Sequence, residues 1–246
     1  MGIKYNKMRG KIMERYFKGC SIENLGLKGK TAIVTAGNNI LGKTYALALA
    51  KAGANLIIHT NDTKWDQIRI LIEKENHEVI FVQGDLSNKK DRDTIINLAM
   101  KVYGKIDILI NNIEITMSQP LLICDNKYNN KVIQKNLATT YFLNKEIGDM
   151  MKEQNYGKIV NSMSISSIRS EDEFYYENSK YHLEKMTRKF AQELASSNVQ
   201  VNCIDKIEKE SNPIDIARTI VFLASKLSDY INGKIVSFNR QYMPQE

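Results

Sequence analysis

Short runs of β-branched and apolar residues alternate with longer stretches of helical periodicity from residue 30 onward. Seven such runs occupy residues 31–34, 55–59, 78–83, 106–111, 158–162, 199–204 and 234–238. The stretches between them repeat their apolar residues with a period near that of an α-helix. Strands and helices in alternation predict a parallel sheet with helices on both faces. Since no linker rich in proline or glycine interrupts the series, we predict a single doubly wound α/β domain with seven parallel strands.

The composition indicates a globular chain and excludes several classes of protein. Of its 246 residues, 43% are hydrophobic and 26% are charged, as in ordinary domains with their own core. No apolar run approaches the roughly 20 residues that span a bilayer. The charged N-terminus lacks the apolar segment of a signal peptide, so we expect a cytoplasmic protein without a transmembrane segment. Three isolated cysteines favour a reducing compartment, and three histidines without ligand spacing predict no metal site.

The net charge of +7 is concentrated near the N-terminus. Residues 1–18 contain six basic side chains and one acidic side chain, with apolar residues at helical spacing. We therefore divide the chain into a basic extension at 1–28 and a domain at 29–246. The extension could attach to an anionic surface, although packing on the domain or on a second subunit is the favoured interpretation. No other feature indicates nucleic-acid binding.

Polar residues follow the predicted strands, where ligands bind in doubly wound sheets. The first strand leads into the loop TAGNNILG at residues 35–42, the third into Asp85, and the fourth into Asn111 and Asn112. The fifth ends among serines and is followed by a helix with Tyr176 and Lys180. Because the carboxyl ends of parallel strands meet at one edge, these groups are predicted to form a site there.

A tyrosine followed by a lysine four residues later is a weak motif by itself, because twelve tyrosines produce about one such pair by chance. The chain has three: Tyr141/Lys145, Tyr176/Lys180 and Tyr230/Lys234. Only Tyr176/Lys180 follows a strand that ends in serines and belongs to a long amphipathic helix. At this spacing both residues share a helical face, and an ammonium near a phenol lowers the phenol's pKa toward a range useful for proton transfer.

This order of residues resembles the short-chain dehydrogenase/reductase family over about residues 28–240. The resemblance implies a Rossmann-type fold and hydride transfer between NAD(P)(H) and a small-molecule carbonyl or alcohol. The chemistry would be like that of a 3-oxoacyl reductase or a hydroxysteroid dehydrogenase. It also implies a homodimer or homotetramer formed through long helices at about 131–153 and 175–197.

The resemblance assigns roles to four residues of the predicted catalytic site. Tyr176 is expected to exchange a proton with the substrate oxygen, and Lys180 to tune Tyr176 and bind the nicotinamide ribose. Ser164, twelve residues before the tyrosine, is expected to polarise the carbonyl, with Ser162 on the same strand face as the alternative. Asn136 is expected to hold a water that relays protons to the lysine.

The predicted cofactor site draws on the strand ends. The resemblance implies contacts from Thr35, Gly37, Asn38, Asn39, Ile40, Leu41, Gly42, Thr60, Asp85, Leu86, Asn111, Tyr176 and Lys180. Asp85 is expected to meet the adenine ring. Thr60 stands after the second strand, where an acidic residue would select NAD through its ribose hydroxyls. Its absence leans toward NADP, although Asp62 nearby weakens that inference and both cofactors stay open.

Several positions depart from the family's pattern. The glycine loop carries Ala36 and Ile40 where the family has glycines, and Glu114 follows the asparagine pair. The Pro-Gly pair after the sixth strand is replaced by Asp205 and Lys206, and the loop that would cover the substrate is short. Two hypotheses follow. The intact catalytic residues favour an active oxidoreductase, whereas the altered loops favour a non-catalytic relative that keeps the fold for binding or assembly.

Overall fold

The computed structural model describes residues 26–61, 65–75, 77, 79–115, 126–165, 173–207 and 212–238. For residues 67, 113–115, 126–136, 164–165, 173–179 and 206–207 the description covers the backbone alone. The predicted amphipathic helix at 1–18 and the position of Asp62 lie outside the described residues. The side chains of the predicted catalytic residues Asn136, Ser164 and Tyr176 do so as well.

Seven strands in the described residues form one parallel sheet, as the sequence predicts. They are β1 (Thr31–Val34), β2 (Asn55–Thr60), β3 (Val79–Gln83), β4 (Ile108–Ile115), β5 (Gly157–Ile165), β6 (Val199–Ile207) and β7 (Ile235–Phe238). The helices are α1 (Ile40–Lys51), α2 (Asp66–Glu73), α3 (Lys89–Tyr103), α4 (Asn126–Glu153), α5 (Glu173–Leu194) and α6 (Pro213–Ala224). The strand order is β3-β2-β1-β4-β5-β6-β7, and every neighbouring pair is parallel.

Helices cover both faces of the sheet, and each face has its own core. One core joins α1, α2 and α6 to residues such as Val34, Ile58 and Val160. The other joins α3, α4 and α5 to residues such as Ile33 and Leu109. Neighbouring residues of one strand therefore serve opposite cores, as strand alternation requires. The doubly wound seven-stranded architecture is confirmed.

Three central strands extend further than the sequence pattern indicates. β4, β5 and β6 continue to residues 115, 165 and 207, and they pair with one another through the extra residues. Polar residues such as Asn112, Ser162 and Asp205 therefore belong to the ladder, although they end the apolar runs. Pairing with β5 holds the extra residues of β4 and β6 extended, and it carries the polar residues of these strands to the carboxyl edge of the sheet.

The strand order reverses between β1 and β4, which are neighbours in the sheet while β2 lies on the other side of β1. A crevice forms at such a switch point because the connections leave in opposite directions. The loop after β1 lies at this point, and the amide of Thr35 donates to the carbonyl of Ile110 in β4, 3.0 Å away. Among the described helices, none combines the length and apolarity needed to cross a membrane.

Candidate active site

The loop after β1 makes a tight turn without the glycine that usually relaxes it. Ala36 adopts the left-handed backbone conformation, with φ of 47°, at a cost of about 1 kcal/mol relative to glycine. Neighbouring side chains hold the turn in place. The amide of Asn112 donates to Thr35 Oγ1 at 3.0 Å, and Asn112 Nδ2 donates to the carbonyl of Ala36 at 3.2 Å. The altered glycine position is therefore supported from β4.

The two glycines that remain in the loop are those that tight packing requires. A Cβ at Gly37 would lie 2.1 Å from Ile58 Cγ2, and a Cβ at Gly42 would lie 2.4 Å from the carbonyl oxygen of Ala36. No side chain fits at such distances. Glycine is therefore required at Gly37, where the loop packs against β2, and at Gly42, where α1 packs against the turn.

The N-terminus of α1 follows directly and has a side-chain cap. Asn39 Oδ1 accepts from the amide of Gly42 at 2.7 Å and from Asn112 Nδ2 at 3.0 Å. A helix start presents backbone amides and a partial positive charge, which favour a phosphate group. Ile40, the first residue of α1, is 65% exposed, so its side chain lies outside the core at the place where a phosphate would approach.

His59, near the end of β2, forms hydrogen bonds with the same loop. Its Nδ1 accepts from the amide of Ala36 at 3.4 Å, and its carbonyl accepts from the amide of Gly37 at 2.8 Å. With Nδ1 as acceptor, the neutral ring carries its proton on Nε2 and donates to the carbonyl of Gly84 at 2.9 Å. Burial lowers the pKa of His59, against smaller opposing effects of the Gly84 bond and of Asp85 and Asp91. The sequence pattern gave no role to this histidine.

The loop after β3 holds the residues predicted to contact adenine. The carboxylate of Asp85 is at the surface, and its Oδ1 accepts from the amide of Ser87 at 3.0 Å. The Leu86 side chain is buried in the core, so it lines no open surface. Arg92 fixes this loop through hydrogen bonds of 3.0 Å to the carbonyls of Leu86 and Ser87, and it forms a bidentate pair with Glu146 on α4.

The side chain of Asn111 faces the core and not the crevice. It is buried, and its Nδ2 donates to Asn144 Oδ1 at 2.7 Å and to Asn161 Oδ1 at 3.0 Å. Asn161 in turn donates to Thr187 Oγ1 at 3.0 Å. This chain of amides joins β4 and β5 to α4 and α5, so Asn111 fixes the strand ends and the helices that carry the catalytic candidates.

The remaining cofactor candidates divide between the crevice and the core. Asn38 is half-buried in the loop, whereas Leu41 is buried in the core against the sheet. Thr60 is fully buried at the end of β2, and the next residue, Asn61, is exposed. The exposed position after β2 is therefore Asn61, one residue later than the sequence pattern places it.

The backbone brings the catalytic candidates to the carboxyl edge. Tyr176 and Lys180 lie one turn apart on α5, and Asn136 lies in α4. Ser164 lies near the end of β5, in register with Glu114 of β4 and Lys206 of β6. The alternative serine, Ser162, is fully buried, and its hydroxyl is 2.9 Å from that of Tyr45 on α1. Ser162 thus serves the core, which leaves Ser164 as the candidate.

The other two Tyr/Lys pairs lie away from this edge. Tyr141 and Lys145 are on α4, where Lys145 pairs with Asp149 at 3.4 Å. Tyr230 is fully exposed, and Lys234 precedes β7 at the opposite edge of the sheet. The choice of Tyr176 and Lys180 made from sequence context stays a prediction.

A carboxylate contacts the predicted catalytic lysine. Lys180 Nζ lies 2.8 Å from Asp205 Oδ2 of β6, with side chains 28% and 7% exposed respectively. Asp205 was visible in the sequence as a departure from the family's pattern. Its contact with Lys180 depends on the pairing of β5 with β6 and on the packing of α5 against both, which no local pattern predicts.

Comparison with known proteins agrees with this geometry. Residues 30–206 match the family described as short chain dehydrogenase. The chain belongs to this short-chain dehydrogenase family. An uncharacterized oxidoreductase of Escherichia coli, YgcW, is 32% identical, with 91% of this chain and 96% of YgcW covered. A 2-dehydro-3-deoxy-D-gluconate 5-dehydrogenase of Bacillus subtilis is 31% identical over 86% of this chain and 93% of its own length.

A solved structure shows the same fold. The crystal structure of a short-chain alcohol dehydrogenase from Sinorhizobium meliloti superposes with a TM-score of 0.76 at 26% identity, covering 87% of this chain and 96% of that chain. As a short-chain dehydrogenase, the protein is an oxidoreductase of a family that uses nicotinamide cofactors. The names of these relatives give no support to the hypothesis of a non-catalytic binding protein.

The residues of the crevice fit a dinucleotide. The loop is closed over two glycines that admit no Cβ, a capped helix start follows it, and the described atom Asn112 Oδ1 is buried without a hydrogen-bond partner. When bound, the nicotinamide supplies or accepts a hydride. Ile40 is the feature that fits least well, because its side chain is exposed at the start of α1.

Proposed function

We propose that this short-chain dehydrogenase interconverts a small-molecule carbonyl and the corresponding alcohol with NADP(H) or NAD(H). One observation carries the proposal. Lys180 lies at the carboxyl edge, half-buried, one helical turn after Tyr176, and contacts β6, the neighbour of the strand that carries Ser164. A tyrosine, a lysine and a serine at the ends of neighbouring elements supply a proton donor, a cation and a hydroxyl for one substrate oxygen.

The proposed roles follow from the chemistry of these groups. Tyr176 gives a proton to the substrate oxygen during reduction and removes it during oxidation. The ammonium of Lys180 favours the phenolate during oxidation, and it also donates hydrogen bonds to the nicotinamide ribose. The hydroxyl of Ser164 donates to the substrate oxygen, and Asn136 holds a water that connects Lys180 to solvent.

We propose that the β1–α1 loop and Asp85 hold the cofactor. The backbone from Thr35 to Gly42 would face the pyrophosphate, and Asp85 the adenine. NADP is favoured because the exposed residue after β2 is Asn61 and no carboxylate occupies positions 60 or 61. A carboxylate there would hydrogen-bond the ribose hydroxyl of NAD and repel the phosphate of NADP. Asn61→Asp is therefore expected to shift the preference from NADP to NAD, as measured by the ratio of the two dissociation constants.

The first experiment is a titration with each dinucleotide, followed by the fluorescence of Trp65 and by thermal shift. Trp65 is the single tryptophan of the chain and stacks on Phe81 of β3, with ring centroids 5.4 Å apart. We expect saturable binding of NADP(H) or NAD(H). The absence of any response to millimolar dinucleotide would overturn the proposal.

The second experiment tests turnover on a panel of carbonyl compounds. The panel should include 2-dehydro-3-deoxy-D-gluconate, after the Bacillus subtilis relative, a 3-oxoacyl thioester and an oxosteroid. On any substrate that is turned over, Tyr176→Phe is expected to lower kcat by about 100- to 10,000-fold, the usual contribution of a general acid or base. Dinucleotide affinity should stay close to that of the wild type.

The chain offers matched controls for that variant. Tyr141→Phe and Tyr230→Phe remove the same hydroxyl group from the other two Tyr/Lys pairs and are expected to keep full activity. If activity survives in Tyr176→Phe but is lost in one of the controls, Tyr176 is not the catalytic tyrosine.

We further propose that the protein is a homodimer or homotetramer that assembles through α4 and α5. A cavity of about 610 Å³ lies between these helices, lined by Tyr141, Met186 and Phe190 among others. Tyr141 is about half exposed there. Light scattering coupled to gel filtration is expected to give an even multiple of 28.2 kDa, and a monomer would contradict this proposal alone. The free, buried thiol of Cys203 supports a cytoplasmic location, which cell fractionation would test.

A further inference from the structure

In the ion pair between Lys180 and Asp205 the carboxylate is the more deeply buried member. The carboxylate side chain is 7% exposed and the ammonium side chain 28% exposed, with 2.8 Å between Nζ and Oδ2. A carboxylate at this depth is costly unless a cation and hydrogen bonds compensate it. Asp205 therefore holds the ammonium of Lys180 close to the sheet.

The position of Asp205 in the fold explains this contact. It lies on β6 two residues after Cys203, so both residues are on the strand face that packs against α5. Glu184 lies on α5 one turn after Lys180 and also acts on this region, since burial first, and then Asp205 and Glu184, raise the pKa of the Cys203 thiol. Asp205 and Cys203 on β6 and Glu184 on α5 are thus among the charged and titratable groups near Lys180.

We propose that Asp205 is a positioning residue that fixes the ammonium of Lys180 and offsets its charge at the active site. This inference rests on the proposed function of Tyr176 and Lys180. In this protein the cation proposed to favour the phenolate, Lys180, forms an ion pair with Asp205. Asp205 thereby sets how strongly Lys180 acts on Tyr176 and raises the pH at which Tyr176 ionises.

The physical argument concerns the net charge near one phenol. An isolated ammonium within about 4–6 Å lowers the pKa of an acid by about 1–3 units. A carboxylate bound to the same ammonium cancels much of that field beyond the pair. Asp205→Asn removes the charge, keeps the shape, and leaves an amide oxygen as an acceptor for Nζ. The variant should therefore present Tyr176 with a net positive charge in nearly the same place.

The test follows Tyr176 directly by the ultraviolet absorbance of tyrosinate during a pH titration. Subtracting the curve of the matching Tyr176→Phe protein isolates this residue among the twelve tyrosines. We expect the ionisation midpoint in Asp205→Asn to fall by about one pH unit relative to the wild type. The basic limb of the pH profile for alcohol oxidation should move by the same amount. A merely structural role for Asp205 would move neither midpoint.

Asp149→Asn is the matched control. Asp149 pairs with Lys145 four residues earlier on α4, and Lys145 follows Tyr141 by four residues, so the same charge is removed beside another Tyr/Lys pair. The control should leave the Tyr176 midpoint unchanged. If Asp205→Asn fails to fold, as judged by circular dichroism, Asp205→Ser replaces it with the same expectation.

The outcomes separate this inference from the proposed function. An unchanged midpoint in Asp205→Asn, or an equal shift in Asp149→Asn, overturns the role of Asp205, while dinucleotide binding by the wild type still supports the proposed function. A lowered midpoint specific to the Asp205 variant supports the inference. If the wild type then binds no dinucleotide, the proposed function fails although the charge effect stands.

Discussion

The two edges of the parallel sheet each contain a buried ion pair, with opposite members buried. At the amino edge, Lys158 is fully buried and lies 2.7 Å from Asp229, whose side chain is 36% exposed. At the carboxyl edge, Asp205 is buried and Lys180 is the exposed member. The buried member of such a pair is confined by its desolvation, whereas the exposed one can meet a ligand. Of these two lysines, Lys180 is therefore the more accessible one, and Lys158 stays inside the protein.

The amino edge also contains a buried carboxylate, Asp107, which is 5% exposed and pairs with Lys30 and Lys105, 20% and 42% exposed. At the amino edge, Asp107 accepts from Lys30 Nζ and from the amide of Thr31, each at 2.9 Å. Lys30 Nζ also lies 3.6 Å above the ring of Tyr156. Burial, followed by the charges of Asp107 and Asp229, raises the pKa of Tyr156 to about 12. These groups compensate one another, so we assign the amino edge to stability and the carboxyl edge to chemistry.

The largest effect on stability is expected from Asp229→Ala. This variant leaves the buried ammonium of Lys158 without its carboxylate, which costs about 3–5 kcal/mol when both partners are buried. Because Asp229 is partly exposed, we expect a loss of about 2–3 kcal/mol in the free energy of unfolding, measured with urea. Asp205→Asn, at the other edge, should cost less because an acceptor remains. An equal loss in both variants would remove the distinction between the edges.

The next largest loss of stability is expected from Gly42→Ala, a variant at the carboxyl edge. Its Cβ would lie 2.4 Å from the carbonyl oxygen of Ala36 and 2.7 Å from Gly37 Cα. The backbone must shift, at a cost of about 1–3 kcal/mol by the usual effect of overpacking. Thermal unfolding measures this loss of stability. Gly104→Ala is not a suitable control, because Gly104 has a φ of 71°, where alanine is itself strained. Ile40→Ala, in the same loop, is the control and should leave stability nearly unchanged.

A smaller, pH-dependent effect is expected from His59. Its pKa is lower in the fold than the usual 6.5, so the unfolded chain takes up a proton first as the pH falls. The free energy of unfolding should therefore decrease from about pH 7 to about pH 5, by at most about 1.4 kcal/mol per pH unit, and level off below the folded-state pKa. Urea unfolding of His59→Asn should show less of this decrease. The exposed His182→Asn should retain it, and identical slopes in the wild type and His59→Asn would contradict the expectation.

The smallest effect on stability, with a clear effect on binding, is expected from Ile40→Gly. The side chain of Ile40 contributes little to the core because it is 65% exposed. If it obstructs the phosphates at the start of α1, its removal should lower the dinucleotide dissociation constant a few-fold in calorimetric titration. An unchanged constant would mean that the loop already passes the phosphates by another path.

The sequence predicted the order of strands and helices well, because alternating hydrophobic periodicity is a local property. The ends of the strands were less well predicted. β4, β5 and β6 continue through polar residues such as Asn112 and Asp205, which a pattern based on apolar runs treats as loop. Pairing with β5 overrides that local signal.

Among site residues, prediction succeeded by position more than by side-chain orientation. Lys180 lies at the predicted edge, and the roles of Tyr176, Ser164 and Asn136 stay predictions. Asn111 and Leu86 were expected at the cofactor, but their side chains are buried. A strand end can direct a side chain inward or outward, and the burial of Thr60 shows that an error of one residue reverses the direction.

The sequence by itself determined the doubly wound fold and the family, because periodicity, spacing and motif order are written along the chain; its choice of Tyr176 with Lys180 among three pairs stays a prediction. The tertiary structure decided that Ala36 is tolerated through Asn112 and His59, and that Lys180 is held by Asp205. These contacts join residues that lie 23 to 76 positions apart for the loop and come from different strands and helices. Their geometry depends on the packing of the sheet and its helices, which no local stretch of sequence specifies.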